Sequence, residues 1–576
     1  MNNLSRIGLS VALFHIATLP SGAQSKWSYK NCADVTDADF KVETLIRQSI
    51  APDPDLDEPD KLAFDMDAEG NVDLYFTEIR PGNIKYYNSR TKTVSTLVKL
   101  PVWKGPYYSK DNNRGDATEE GATGIALDPN FKTNGWIYIH WSPASASVFR
   151  ISRFTVASGK IDLATEKIVL QFEAQREMCC HTGGSMQFDA YGDLWIAQGA
   201  NGGNISGSIG TTPPIAINEE DNGKNKSEEW GASSTHGMRG SFLRIHPTPD
   251  GKYTIPAGNF GEYFYNQTKD PKYLDTTKVY PEIYIKGIRN NYSMALDPVR
   301  RWVLWGDVGA DELSRDVREE FNLRTSPGFE GWPYFVGNNT KFVGNQDPAA
   351  PVNKSRWNTG LTTLPPARPR TVLPASFFAS PSKMGPVPIT GPLYLYDGDS
   401  KSKVKFPPHF NRKWFITDWT TSHLFVFDID SAGNQVTGFQ RFLPTTFEGP
   451  VDFRQGPDGA LYIVNYGSGY FTSSSNTSIV KISYTGTCRP TDLKLETPTG
   501  LAQTRFDMIP RPSGFLINLG ASSQVIIPRG MTGIELYDIK GKQVWSMRNL
   551  KAGETFRLPS GIQAGALKYR WIPAIH

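Results

Sequence analysis

Cysteine is scarce, at four in 576 residues. That is too few for a fold built on a disulfide scaffold, though four cysteines fit an oxidising compartment. A charge imbalance is also missing, since 61 Lys and Arg face 58 Asp and Glu for a net +3. No nucleic-acid partner is expected, because that recognition shows as a basic excess or stripe. Long apolar runs are lacking as well. The one apolar stretch, Ile7–Leu19, is too short to span a bilayer and ends in Pro20-Ser21-Gly22, so no integral membrane segment is expected in the mature chain. The sequence contains no CxxCH haem site, no paired CxxC zinc site, no P-loop and no GxGxxG opening a helix. With 39% hydrophobic residues and balanced charge, disorder is excluded as the main state.

What the chain has in quantity is Gly (53), Pro (41), Phe (31), Tyr (24) and Trp (14), the composition of many short strands joined by many turns. Arg6, the apolar stretch and the small residues Ser21-Gly22-Ala23 read as a secretory signal at 1–23, so a secreted, surface or periplasmic protein is expected. One phrase then recurs six times, as an apolar strand, an Asp- or Gly-rich turn and an alternating aromatic strand. Its copies lie at 62–78, 124–141, 185–199, 293–307, 393–419 and 451–467. A further alternating stretch follows each, at 83–88, 149–156, 241–247, 319–325, 423–429 and 478–484. Period-two alternation bounded by turn residues is the hairpin signal. Repeated short sheets without intervening helices read as a β-propeller. The expected fold is all-β, a six-bladed propeller over 55–488 after an extension at 24–54, with a sandwich as the alternative.

This topology carries a geometric expectation. With strands A to D numbered outwards from the channel, residues just before A and just after B share one end of the propeller, and the A–B turns lie at the other. After Cys488 a linker at 489–502 leads to a small β domain at 503–576. Its LYDIKGK (536–542) resembles the core of the C-terminal sorting domains of type IX secretion; an accessory β module is the alternative. The four cysteines allow three pairings. Cys32–Cys488 with a vicinal Cys179–Cys180 is the expected set, against two reduced, buried thiols at 179 and 180.

Four segments fall at the channel mouth by this reasoning: TEEGATG (118–124), CCHTGG (179–184), KGIRNNYS (286–293) and GDVGADE (306–312). Among eight histidines, His181 is the general-base candidate: glycines beside it let the backbone turn sharply, and imidazole titrates where an alcohol proton can be taken at neutral pH. A hydrogen-bonded loop histidine is the alternative. Arg289 and Asn290 offer a cation and an amide for a carboxylate or a developing oxyanion, or a salt bridge to Asp307 or Glu119. Asp307, Gly309 and Ala310 lie in a turn whose carbonyls and carboxylates are consistent with hard-oxygen ligation of Ca²⁺; without EF-hand spacing, a plain Asp-rich turn is the stronger reading of the residues alone.

Eight phrases between about residues 55 and 485 resemble the glucose/sorbosone dehydrogenase family of six-bladed quinoprotein propellers. They include EEGATGIALDPNFKTNGWIYIHWS (119–142), HTGGSMQFDAYGDLWIAQG (181–199), PEIYIKGIRNNYSMALDP (281–298), WGDVGADE (305–312) and FEGPVDFRQGPDGALYIVNYG (447–467). The CCH string is similar to one subgroup of that family. The resemblance implies that His181 takes the hydroxyl proton of a sugar while hydride passes to pyrroloquinoline quinone (PQQ), with Arg289 and Asn290 at the quinone oxygens. It also implies Ca²⁺ at the carbonyls of Gly309 and Ala310, and cofactor contacts at Glu119 and Lys401. By analogy with other quinoproteins, Cys179 and Cys180 would stack on the quinone. The family's Arg-x-Arg before the last blade is replaced here by Gly449-Pro450-Val451-Asp452, so Arg80, Arg176 or Arg239 would have to compensate. The implied activity is oxidation of an aldose or polyol with release of electrons to an external acceptor. The alternatives are a carbohydrate- or surface-binding propeller and a Ca²⁺-dependent lactonase.

Overall fold

The structure is a computed structural model. It describes residues 26–29, 32–48, 55–105, 118–177, 180–202, 227–309, 319–369, 387–468 and 474–488, and the strands of the C-terminal part between 513 and 573. Two compact units result, Met1–Leu493 and Lys494–His576.

Six sheets, antiparallel through their first three or four strands, form the blades of the first unit, beside two small two-stranded sheets. Blade 1 runs Pro59–Met66, Val72–Glu78, Asn83–Asn88 and Thr93–Lys99, and blade 2 runs Ala122–Leu127, Trp136–Trp141, Val148–Ala157 and Lys167–Glu173. Blade 3 is Met186–Phe188, Leu194–Gln198, Ser241–Pro247 and Ile283–Lys286; blade 4 shows Met294–Asp297, Trp302–Asp307 and Glu320–Arg324 among the described residues. Blade 5 is Pro388–Leu393, Trp414–Asp418, Leu424–Ile429 and Val436–Arg441, and blade 6 is Pro450–Gln455, Leu461–Asn465 and Ser478–Tyr484. The fourth strand of blade 6 comes from the other end of the chain. Phe40–Arg47 pairs antiparallel with Ser478–Tyr484, Phe40 opposite Tyr484 and Arg47 opposite Ser478. The segment expected as an extension therefore closes the ring.

Alternation explains how the blades hold together. Successive side chains of a strand point to opposite faces, so each strand serves two interfaces. In strand B of blade 3, Leu194 and Ile196 pack with Ala126, Tyr138 and Ile151 of blade 2, whereas Trp195 and Ala197 pack with Met294, Val303 and Trp305 of blade 4. Blades 1 and 2 share a cluster around Ile84, Ile125 and Ile139, and blades 4 and 5 one around Leu304, Phe321 and Trp414. Phe415, Val426, Phe453 and Ile463 join blades 5 and 6, and Leu62, Leu74, Tyr462 and Val464 join blade 6 back to blade 1. Six interfaces between six blades make the six-bladed β-propeller.

The repeat phrases fall on A–B hairpins, with one shift. In blade 5 strand A is Pro388–Leu393, so the expected LYLYD strand is mostly connection. Gly391-Pro392 breaks the pairing register there, between Thr390 and Leu393, because proline has no N–H to give the ladder. The second unit holds a sheet in the order Ser513–Asn518, Gly565–Pro573, Met531–Tyr537 and Gln543–Arg548. Residues 538–542 of LYDIKGK and the signal at 1–23 lie outside the described residues. No helix among the described residues is long and apolar enough to cross a membrane.

Candidate functional site

His181 stands five residues before strand A of blade 3, and Arg289 five before strand A of blade 4. Both are almost wholly enclosed, at 4% and 1% exposure. Two backbone bonds tie them to one short segment at the end of strand B of blade 3: Ala200 N donates to Arg289 O (2.8 Å) and Asn201 N to His181 O (2.9 Å). Glycine is required at 199. A Cβ there would lie 2.2 Å from the carbonyl oxygen of His181 and 3.3 Å from that of Arg289. His181 itself sits at φ 60°, in the left-handed region that costs a non-glycine residue energy and is held only by surrounding bonds.

Around the imidazole, Thr182 N donates to Glu119 Oε2 (3.3 Å) and Thr182 Oγ1 to Glu119 O (3.2 Å). Glu119 is thus brought to the site as a backbone acceptor. Cys180, at φ 94°, is disulfide-bonded, as is Cys488; Cys179 lies outside the described residues. On the far side the Arg289 guanidinium donates from Nη1 to Val308 O (3.0 Å) and lies over the Trp332 ring, 5.6 Å from its centroid.

Asp307 is turned toward the backbone. Its carboxylate accepts from Arg289 N (3.4 Å) and Asn290 N (2.7 Å), which fixes the Arg289-Asn290 turn. Among the described contacts, Asp307 meets Arg289 through this amide. Gly309 N donates to Glu319 Oε2 (2.7 Å), and burial pushes the Glu319 carboxyl well above the usual range. Ala310 lies outside the described residues. No cluster of three or more His, Cys, Asp or Glu side chains among the described residues could hold a metal ion.

Lys401 is not part of this arrangement, which corrects the expectation. It is exposed and lies in the connection between strands A and B of blade 5, at the end of the propeller opposite His181. Of the three arginines considered as substitutes for Arg-x-Arg, two are committed elsewhere. Arg80 pairs with Glu58 (Nε–Oε2 2.8 Å), and Arg176 pairs with Glu120 (3.1 Å) and stacks on Trp103. Arg239 is buried beside the site, its Nη1 donating to Asn201 O (2.9 Å) and its plane over Trp230.

Two further histidines have structural partners. His140 is bonded at Nδ1 to Thr123 Oγ1 (2.7 Å) and at Nε2 to Gln198 Oε1 (3.0 Å), and burial lowers its pKa to about 4. His246 meets Asp193 at 2.8 Å.

Sequence reasoning missed a buried group that spans the channel. Asp60 and Lys61 open strand A of blade 1 with no exposure. The Lys61 ammonium bonds Asp60, reaches Val451 O of blade 6 (3.3 Å) and lies 3.8 Å from the centroid of the Tyr292 ring. Tyr292 Oη donates to Asp60 Oδ1 (2.9 Å). Burial raises the Asp60 carboxyl to about 6, against the pull of Lys61. A carboxylate and an ammonium adjacent at the start of a strand give no sequence signal, because such pairs are usually solvated.

Enclosed polar atoms at the mouth that make no hydrogen bond among the described residues include His181 Nδ1, Glu228 Oε1, Asn201 Nδ2, Arg239 Nη2 and Asn290 Oδ1. Buried polar atoms are normally satisfied, so this set suits a polar ligand, and the donors of Asn201 and Arg239 suit an anionic group on it.

Fold and mouth together define a six-bladed propeller with an enclosed polar site at one end of its channel. Residues 56–212, which include His181, match the model of the Glucose / Sorbosone dehydrogenase family. Among solved structures, the chain is similar to the PQQ-bound aldose sugar dehydrogenase of Streptomyces coelicolor (16% identity, 77% of this chain and 98% of that one, TM-score 0.46). It is also similar to the apo soluble aldose sugar dehydrogenase of Escherichia coli (20%, 77% and 99%, TM-score 0.48). A third is the PQQ domain of pyranose dehydrogenase from Coprinopsis cinerea (10%, 81% and 98%, TM-score 0.37). No curated protein matches in sequence.

Proposed function

We propose that this chain is an exported quinoprotein-type oxidoreductase that oxidises an aldose or polyol with PQQ and Ca²⁺ and passes electrons to an external acceptor. The observation that carries the reading is the junction at Gly199, where one short segment holds both an enclosed imidazole and an enclosed guanidinium. It occurs in a chain of which 56–212 match a sugar-dehydrogenase family. In this reading the C-terminal β unit serves export, Cys179 pairs with Cys180, and Cys32 with Cys488.

Each residue has a defined task. His181 takes the proton of the substrate hydroxyl and, enclosed as it is, does so with little competing water. Arg289 and Asn290 stabilise negative charge that develops opposite the base, and Asp307 keeps them in place through their amides. Arg239 and Asn201 offer donors for a cofactor carboxylate, the part played elsewhere in the family by the arginine pair. The main-chain carbonyls of Gly309 and Ala310 would hold the Ca²⁺. When bound, PQQ supplies the two-electron acceptor that the side chains lack.

Titration of the purified full chain with PQQ and Ca²⁺, with dye reduction followed across aldoses and polyols, tests the reading. Saturable cofactor binding with sugar-dependent reduction is expected. A folded protein that binds no PQQ at micromolar concentration overturns it.

A further inference from the structure

His181 has a second neighbour that comes from outside the repeat. Between strands B and C of blade 3 the chain forms a short helix, Glu228–Ser233, capped by Ser227, whose Oγ accepts from Trp230 N (2.9 Å). The first helical residue, Glu228, is buried at 2% exposure, and its Oε1 lies 3.7 Å from His181 Nδ1. Neither atom has a hydrogen-bond partner among the described residues. The other carboxylate oxygen, Oε2, accepts from Trp332 Nε1 (2.9 Å), and the Trp332 ring underlies the Arg289 guanidinium. Glu228 is pressed against backbone as well: a Cβ on Gly202 would lie 2.7 Å from its carboxyl carbon.

Helix position is fixed independently of this contact. The next residue, Glu229, accepts from Tyr334 Oη (2.7 Å) and from Lys354 N (2.7 Å), and Ser233 Oγ donates to Glu229 O (2.6 Å). The carboxylate of Glu228 is therefore delivered by an anchored element, not by a mobile side chain. A buried carboxylate costs free energy unless a cation or donors meet it. Trp332 meets one oxygen; among the described residues the other faces His181, with the Arg239 guanidinium close enough to interact with the carboxylate charge.

We propose that Glu228 is the positioning residue of this site: it holds the imidazole as the Nδ1–H tautomer, leaving Nε2 free to accept a proton, and through Trp332 it fixes the plane under Arg289. The proposal rests on His181 being the base. At 3.7 Å the pair is an ionic contact and not yet a hydrogen bond; when the inner nitrogen closes that gap and donates to the carboxylate, the ring is oriented and the imidazolium that forms after proton transfer is stabilised. One carboxylate then sets both the base and the cation of the site. The other charged groups near the imidazole are Glu119, through the Thr182 amide, and Arg239 and Arg289 on the flanking segments. Glu119 acts with Glu228, and the two arginines act against it.

The test is ¹⁵N NMR of histidine-labelled full chain, with Glu228→Gln and Glu228→Asp compared with the unchanged protein, His181→Gln used to assign the signal, and melting curves recorded for each. In the unchanged protein the His181 signal is expected to report the Nδ1–H tautomer. Glu228→Gln is expected to move the His181 signal off the Nδ1–H tautomer, with Glu228→Asp restoring part of it. In PQQ-loaded protein turnover should fall by about 10- to 100-fold. An unchanged tautomer in folded Glu228→Gln overturns the proposal. The NMR readout needs no activity, so a changed tautomer in a variant of a protein that oxidises no sugar would sink the dehydrogenase reading and leave the Glu228–His181 pair standing.

Discussion

At the residue scale the site depends on how closely two backbones approach at Gly199. Alanine there would place a methyl 2.2 Å from His181 O, a distance no relaxation of a side chain can cure. Gly199→Ala is therefore expected to lower the melting temperature and to abolish turnover together, as read by calorimetry and dye reduction. His181→Ala should separate the two effects. Turnover should fall by about 10²- to 10⁴-fold while PQQ binding, followed by its absorbance, is largely retained; equal turnover removes His181 from the mechanism. Sequence made His181 and Arg289 legible because each lies beside turn residues at a predictable end of a strand. It did not reveal Glu228, since Ser-Glu-Glu-Trp reads as a solvated helix start, and only the fold brings it to an imidazole 47 positions earlier. Lys401 was misplaced for the opposite reason: the long connection in blade 5 hides which end of the hairpin it occupies.

At the element scale the A–B hairpins were legible because period-two alternation and Gly- or Asp-bearing turns are local signals. Asp189–Asp193 is an example, its turn closed by Asp189 N to Asp193 O (2.9 Å) with Gly192 at φ 79°. The closing strand Phe40–Arg47 was not legible as a blade member. It alternates like any strand, but nothing local names a partner at the other end of the propeller. Its contribution is testable. Phe40 packs against Phe406, Phe410, Phe442 and Tyr484 with ring centroids 4.9 to 5.8 Å away. Phe40→Ala should cost about 3–5 kcal/mol, measured by urea unfolding. Deleting the strand altogether should lower the melting temperature further, because blade 6 then exposes the edge of Ser478–Tyr484; an unchanged transition would remove the strand from the ring.

At the scale of the whole molecule, two sets of buried groups oppose each other as pH changes. Burial raises Glu78 to about 7 and Asp418 to about 6. Their folded pKa values exceed the unfolded ones, so their stabilisation is complete below about pH 4 and is lost as pH rises through 6 to 7. His140 and His409 are lowered to about 4 by burial, so they favour the folded state above about pH 6.5 and withdraw that support as pH falls through 4. Between pH 4 and 6.5 the two sets tilt stability in opposite directions, with Asp60 and Glu319 acting on the side of the carboxyls. Glu78→Gln is expected to make it rise more steeply with pH, and His140→Gln to make it fall, in urea titrations at several pH values; parallel curves for all three proteins would remove both assignments. The closure by Phe40–Arg47 also has a consequence for synthesis. A chain made from its N-terminus completes this strand before every other strand of the ring, and its partner, Ser478–Tyr484, after them. Until then the earliest-made strand of the ring has nowhere to pair, and blade 1 has no sixth blade to cover Leu62 and Leu74. Nascent chains thus carry two raw edges until Ser478–Tyr484 is made, and the ring becomes protected only when that one segment arrives.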